Sequence, residues 1–143
     1  MQISDALEFV ADKRNGMLIA LKADGRPQSS NIAYTVGTGD DAGKILISVT
    51  AGRAKTANLR RDPRASLHVN RDDFWAYAVI EADVELTPVA AQPDDNTVEQ
   101  LVAYYRSVAG EHSDWAEYRQ AMIDDQRLLL KLTPIHAYGM LQR

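Results

Sequence analysis

The stretch from Trp75 to Leu86 constrains the fold more than any other part of the chain. Ala76, Ala78, Ile80, Ala82, Val84 and Leu86 alternate with Trp75, Tyr77, Val79, Glu81, Asp83 and Glu85. Side chains of a strand point alternately to its two faces. One face of this strand therefore holds no polar group along its whole length, which suits the interior of a closed barrel. The other face carries aromatics at one end and carboxylates at the other.

Shorter strands surround it. Met17 to Lys22 is a brief apolar run, and the Asp24-Gly25 pair after it is a hairpin signal. Gln28 to Val36 reads as the returning strand, with Ser29, Asn31 and Ala33 on one side and Ser30, Ile32 and Tyr34 on the other. Lys44 to Thr50, Ala65 to Asn70 and Arg127 to Thr133 repeat the alternation, and the last can resume beyond Pro134 as far as Met140. Helices are expected after a Ser4 cap, over Arg53 to Arg61 with Pro63 as its stop, from Pro93 to Gly110, and after a Ser113 cap. Short turns between consecutive strands indicate an antiparallel barrel rather than a parallel sheet. Residues 1–143 fit one domain, with the later helix pair inserted at one end of the barrel.

Composition removes several function classes. Cysteine is absent and the three histidines, His68, His112 and His136, lie far apart, so neither thiolate chemistry nor zinc-ligand spacing is present. A formal net charge of −4 argues against a general nucleic-acid binder. No apolar run reaches membrane-spanning length and the first residues do not read as a secretion signal, so a cytoplasmic protein is expected.

Three features can carry chemistry. In Thr50-Ala51-Gly52-Arg53-Ala54-Lys55 a strand ends and a helix begins with two cations in its first turn. Helix N-termini hold phosphate through free amides and a partial positive charge. Arg53 can fork onto phosphate oxygens while Lys55 adds a point charge, and Asn58 lies on the Lys55 face one turn on. The alternative is a solvated basic helix, since Arg60, Arg61 and Arg64 extend the run. Next, Gln28, Ser29, Ser30 and Asn31 are consecutive hydrogen-bonding side chains; they either read the edge of a flat heterocycle or are ordinary polar positions of an edge strand. Finally, Trp75 and Tyr77 on the outward face are a ligand wall, a subunit interface, or packing for the inserted helices. The residues alone lead to a small barrel with an anion site.

The runs Gly25-Arg26-Pro27-Gln28, Ser48 to Thr50, and Arg53-Ala54-Lys55-Thr56-Ala57-Asn58-Leu59-Arg60-Arg61-Asp62-Pro63-Arg64 resemble the pyridoxamine-phosphate-oxidase-like superfamily. Within it the chain is most similar to the actinobacterial oxidoreductases that use the deazaflavin coenzyme F420. Tyr104-Tyr105-Arg106, Ala109 to Trp115 and Tyr118 to Met122 match that subgroup as well. The resemblance implies a mainly β split barrel with a few peripheral helices, dimeric, with cofactor sites at the subunit interface. It implies that Arg53, Ala54 and Lys55 hold the cofactor phosphate with Asn58 nearby, and that Ser48, Val49 and Thr50 lie along the tricyclic ring. Gln28, Ser30 and Asn31 would border the ring or ribityl chain, Trp75 and Tyr77 would come from the other subunit, and Arg26 would meet the acidic tail. The implied activity is hydride transfer from reduced F420 to a small organic substrate such as an activated alkene, imine or quinone. An FMN-dependent oxidase or reductase and a non-catalytic F420 carrier stand as alternatives. No catalytic residue is assigned; Tyr77 and solvent are equal candidates for a proton donor.

Overall fold

The structure, a computed structural model, describes residues 1–142. Seven strands, β1 (Asn15–Leu21), β2 (Pro27–Ala33), β3 (Thr35–Val36), β4 (Ile45–Thr50), β5 (Arg64–Asn70), β6 (Tyr77–Leu86) and β7 (Arg127–Met140), pair antiparallel in one sheet of order β2-β1-β5-β6-β7-β4-β3. Helices α1 (Ile3–Ala11), α2 (Ala54–Arg61), α3 (Asn96–Ala109) and α4 (Trp115–Asp124) flank it. The edge strands β2 and β3 are separated only by Tyr34. A flat sheet of this size would hold its edges roughly 29 Å apart at ~4.8 Å per strand, whereas two residue steps reach only ~7 Å. The sheet must therefore curl until its edges nearly meet, and the result is the split barrel.

Tyr34 is the seam. Its ring is fully buried, its hydroxyl donates to the Val10 carbonyl at 2.7 Å, and its amide donates to the Arg14 carbonyl at 2.8 Å. The alternation from Gln28 to Val36 reads as one strand, but the structure divides it into two at opposite edges. Period-two patterning records which face a residue occupies and not which neighbour it pairs with, so it does not register this break.

The core follows the expected face of β6. Ala76, Ala78, Ile80, Ala82 and Val84 are all buried, alongside Leu18, Ile45, Ile47, Leu67, Leu128, Leu130 and Leu132. Trp75 itself precedes the strand, in the turn between β5 and β6. β7 runs unbroken through Pro134 because a register shift opposite Glu81 and Ala82 leaves Ile135 without a cross-strand partner. Such a bulge relieves the ladder of the amide that proline lacks.

A second core forms outside the barrel. Val98, Leu101 and Val102 of α3 and Tyr118 and Met122 of α4 pack on Leu129 and Leu46, on the outer face of β7 and β4. Carboxylates cap these helices. Asp95 accepts from the Val98 amide at 2.8 Å, so α3 starts after Pro93 rather than at it. Asp114, not Ser113, caps α4 by accepting from the Glu117 amide at 3.1 Å. Asp oxygens also favour the positive helix end electrostatically. Ser4 lies inside the first turn of α1, whose N-cap position is Gln2. No described helix is long and apolar enough to cross a membrane.

Candidate anion-binding groove

Where β4 ends, α2 begins and the second core abuts the barrel, a groove of about 460 Å³ opens. Asn31, Ser48, Val49, Thr50, Arg53 and Lys55 line it. Tyr104, Tyr105, Tyr118 and Arg127 complete the opposite wall.

The floor is made by strand register. Thr50 pairs with Arg127 and Ser48 with Leu129 across β4 and β7. Opposed residues share a face of the sheet, so Ser48, Thr50 and Arg127 all point outward, toward the helices. The chain then turns through Gly52 into α2, where the Thr56 hydroxyl donates to the Thr50 carbonyl at 2.8 Å and fixes the helix start against the strand end. Arg53 occupies the N-cap position and no side chain caps the first turn. A helix start without an acid or a hydroxyl cap leaves its amides for another acceptor.

The cations of α2 divide by role. Arg61 donates to the Leu21 carbonyl at 2.6 Å and to Asn58 at 3.1 Å. Asn58, buried, donates to Gln28 at 3.4 Å, and Gln28 donates to Ser30 at 2.7 Å. Arg61, Asn58, Gln28 and Ser30 thus tie α2 to β1 and β2 behind the groove. Arg64 forms a two-point pair with Asp62 at 2.9 and 2.8 Å. Arg53 and Lys55 make no side-chain hydrogen bond or ion pair among the described residues. The basic run is therefore not a uniformly solvated face. Two of its members face the groove with nothing to neutralise them.

Lys55 shows the consequence. Partial burial holds its ammonium below the usual lysine range, and the nearby charges of Arg53 and Arg127 push it lower. Among the described residues no carboxylate lines the groove. On the aromatic wall, burial raises the Tyr118 phenol to about 12 and raises Tyr104 as well. Their hydroxyls donate to the Leu101 and Ala33 carbonyls, each at 2.9 Å. Both phenols stay protonated and committed, so they present ring surface rather than acid. Tyr105 packs on Tyr118 with centroids 4.9 Å apart, and Trp115 stands edge-on to both.

The remaining candidates lie outside the lining of this groove. Arg26 is exposed in the β1–β2 turn, and Ala54 is exposed in the first turn of α2. Tyr77 opens β6 with its ring stacked on His68 at 5.3 Å. Trp75 is 59% exposed beside Phe74. The inserted helices pack at the β4–β7 end of the sheet, so they do not cover Trp75 or Tyr77. Sequence reasoning missed Tyr104, Tyr105, Tyr118 and Arg127 as lining. Tyr105 and Tyr118 read as helix positions and Arg127 as the start of a strand; the pairing of β4 with β7 and the packing of α3 and α4 on it bring them to the α2 start.

A curled antiparallel sheet with a cationic groove at the β4–α2 junction defines a split-barrel protein. The chain belongs to the pyridoxamine 5'-phosphate oxidase family, whose model matches residues 4–140. Among solved structures, a conserved hypothetical protein from Mycobacterium tuberculosis superimposes with a TM-score of 0.75 at 22% identity, over 100% of this chain and 86% of that one. An F420 reductase gives 0.69 at 17% identity, over 92% and 94%. A heme storage protein from Vibrio cholerae gives 0.68 at 15% identity, over 98% and 96%. At these identities the likeness is one of fold, and the fold alone is shared by proteins of different cofactors.

Proposed function

We propose that this chain is a deazaflavin-dependent oxidoreductase that binds reduced coenzyme F420 in the β4–α2 groove and works as a homodimer. The observation that carries the reading is the set of cations, Arg53, Lys55 and Arg127, on a groove without a carboxylate. Buried or half-buried charge is costly unless paired, and here the partner must come with the ligand. Arg127 adds a third positive charge to that lining. The tyrosine wall fits a flat ring. A bound reduced deazaflavin supplies a hydride from its ring carbon, and the protein supplies position and electrostatics. Of this chain's residues, Ser48, Thr50 and Asn31 offer hydrogen bonds along the groove. Arg53, Lys55 and the start of α2 hold the anion. The substrate is a small organic acceptor of hydride.

Fluorescence titration with F420 and with FMN tests the cofactor. F420 binds more tightly, and its affinity falls as salt rises, because an extended acidic tail reaches Arg26 and Arg60 beyond the phosphate site. FMN binding that is equal or tighter, and insensitive to salt, makes the protein an FMN-dependent oxidase or reductase instead.

The dimer has its own support. Phe74, Trp75, Ile135, Tyr138 and Met140 are all exposed. Tyr138 pairs with Val79 and Met140 with Tyr77, so they share the outer sheet face that the helices leave bare. Obligate dimers cover such surface. Sedimentation at micromolar concentration gives twice the 15.9 kDa of the chain; a monomer removes the shared-site arrangement. Tyr138→Glu, a charge placed within that face, shifts the equilibrium toward monomer.

A further inference from the structure

We propose that a hollow on the outer face of β1, β2 and β5 receives the hydride acceptor, a neutral carbonyl compound, and that His68 supplies the proton that completes its reduction. The inference rests on the cofactor reading above. The hollow, of about 590 Å³, has Asn15, Met17, Asn31, His68 and Asn70 in its lining. Asn31, with the two residues after it, also lines the cationic groove. β2 is an edge strand, so the two spaces meet around its free edge. Strand register gives the hollow its direction. Asn31, Met17, His68, Val79 and Tyr138 are successive cross-strand partners, hence one row on one face. His68 stands two strands in from Asn31, roughly 10 Å at ~4.8 Å per strand, which admits a small ring between them.

The lining selects a chemical class. Among the described residues no charged side chain lines the hollow, so an ionised ligand would lie there unpaired. Three carboxamides offer N–H donors to carbonyl oxygens, and Met17 offers a soft apolar contact. His68 is held at one nitrogen only. Asn70 Oδ1 can only accept, so His68 Nε2 donates to it, at 3.0 Å. The ring stacks on Tyr77 at 5.3 Å, and Nδ1 makes no hydrogen bond among the described residues. An imidazole fixed at one nitrogen with the other free can act as a general acid. Tyr77 and, opposite Ser66, Glu81 are the titratable groups that β6 places beside it; β1 carries none. With an enone in the hollow, hydride adds to its β-carbon and the C=C electron pair moves to its α-carbon. Protonated Nδ1 of His68 then gives its proton to the α-carbon, the N–H bond breaking as the C–H bond forms. The hydride and its electron pair come from the reduced cofactor, which ends oxidised after releasing one proton to water, and water reprotonates His68.

The probe is α-methylcyclohexenone, because protonation of its α-carbon creates a stereocentre. The F420-loaded parent gives one enantiomer of α-methylcyclohexanone in excess. His68→Gln lowers kcat about a hundredfold and removes both that excess and the alkaline limb of the pH profile. It leaves F420 affinity and melting temperature near those of the parent. Tyr77→Phe retains the excess. Unchanged selectivity in His68→Gln, its loss in Tyr77→Phe instead, or no reduction by the loaded parent overturns the proposal. A second arm needs no turnover. In the cofactor-free protein, NMR shows the probe shifting the Met17 methyl and His68 ring signals more than the methyl of Met122, which lines the groove. Shifts confined to Met122, or at neither methionine, overturn the proposal. Failure of F420 to bind the parent, with the Met17 shift intact, discards the cofactor reading and keeps the hollow as a carbonyl-binding site.

Discussion

Lys55→Ala weakens F420 binding about ten- to a hundredfold and leaves the melting temperature of the ligand-free protein nearly unchanged. A charge-assisted hydrogen bond contributes roughly 1.5–3 kcal/mol, and ~1.4 kcal/mol is tenfold in affinity. Stability is spared because Lys55 has no partner to lose, and its charge is disfavoured in the fold by burial and by Arg53 and Arg127. Arg53→Ala behaves alike. The double variant loses less than the sum if both cations share one phosphate, since groups on a common partner are not additive. Arg61→Ala is the contrasting control. It removes the bonds to the Leu21 carbonyl and to Asn58, so it lowers the melting temperature more than it lowers affinity. Parent-like binding by both Lys55→Ala and Arg53→Ala places the anion site elsewhere.

The same lysine sets a pH dependence. Its folded value lies below its unfolded one, so the folded state binds fewer protons across the window between them. Ligand-free stability therefore rises as pH increases through that window. An anion restores the charged form, so binding takes up a proton at alkaline pH and weakens as pH rises, starting at a lower pH than an ordinary lysine would set. Calorimetry in buffers of different ionisation enthalpy reads that proton; a binding enthalpy independent of buffer contradicts it.

Gly139→Ala destabilises the protein on the order of 3 kcal/mol, the largest stability effect expected of any single methyl group here. Gly139 has φ +145° and pairs with Ala78. A Cβ there would sit 2.3 Å from the Tyr77 carbonyl oxygen and 3.0 Å from Ala78 Cα. Both are backbone atoms, so relief requires β6 and β7 to separate where Tyr77 starts its strand. Gly25→Ala isolates the backbone contribution: φ is +85° in the β1–β2 turn and a Cβ would meet nothing within 4 Å, so only the left-handed strain remains, roughly 1–2 kcal/mol. Urea unfolding of the two variants gives the comparison. Losses of equal size would mean that the contact at Tyr77 costs nothing.

What was legible in the sequence is what depends on local pattern. The apolar face of β6, the Asp24-Gly25 turn and the β4–α2 junction all follow from alternation and turn chemistry. The two basic residues that face the groove stood in one short run with those that do not. Separating Arg53 and Lys55 from Arg61 required knowing that Leu21 and Asn58 lie beside α2, which is a tertiary fact. Helix starts were displaced toward Ser4, Pro93 and Ser113 because hydroxyl caps and N-terminal prolines are common signals, whereas Asp95 and Asp114 supply the caps of α3 and α4. Half of the groove wall was invisible because Arg127 and the tyrosines come from segments far along the chain, joined to the rest by strand pairing and helix packing.

That pairing has a bearing on how the molecule is made. β7 follows the other six strands in the chain, yet it sits inside the sheet, bonded to β6 on one side and β4 on the other. Without β7 the sheet falls into two parts, β2-β1-β5-β6 and β4-β3, each with an unpaired edge. Such edges are templates for association with other chains. The barrel cannot close before β7 is inserted. That insertion also delivers Arg127, so the groove and the barrel become complete in a single event.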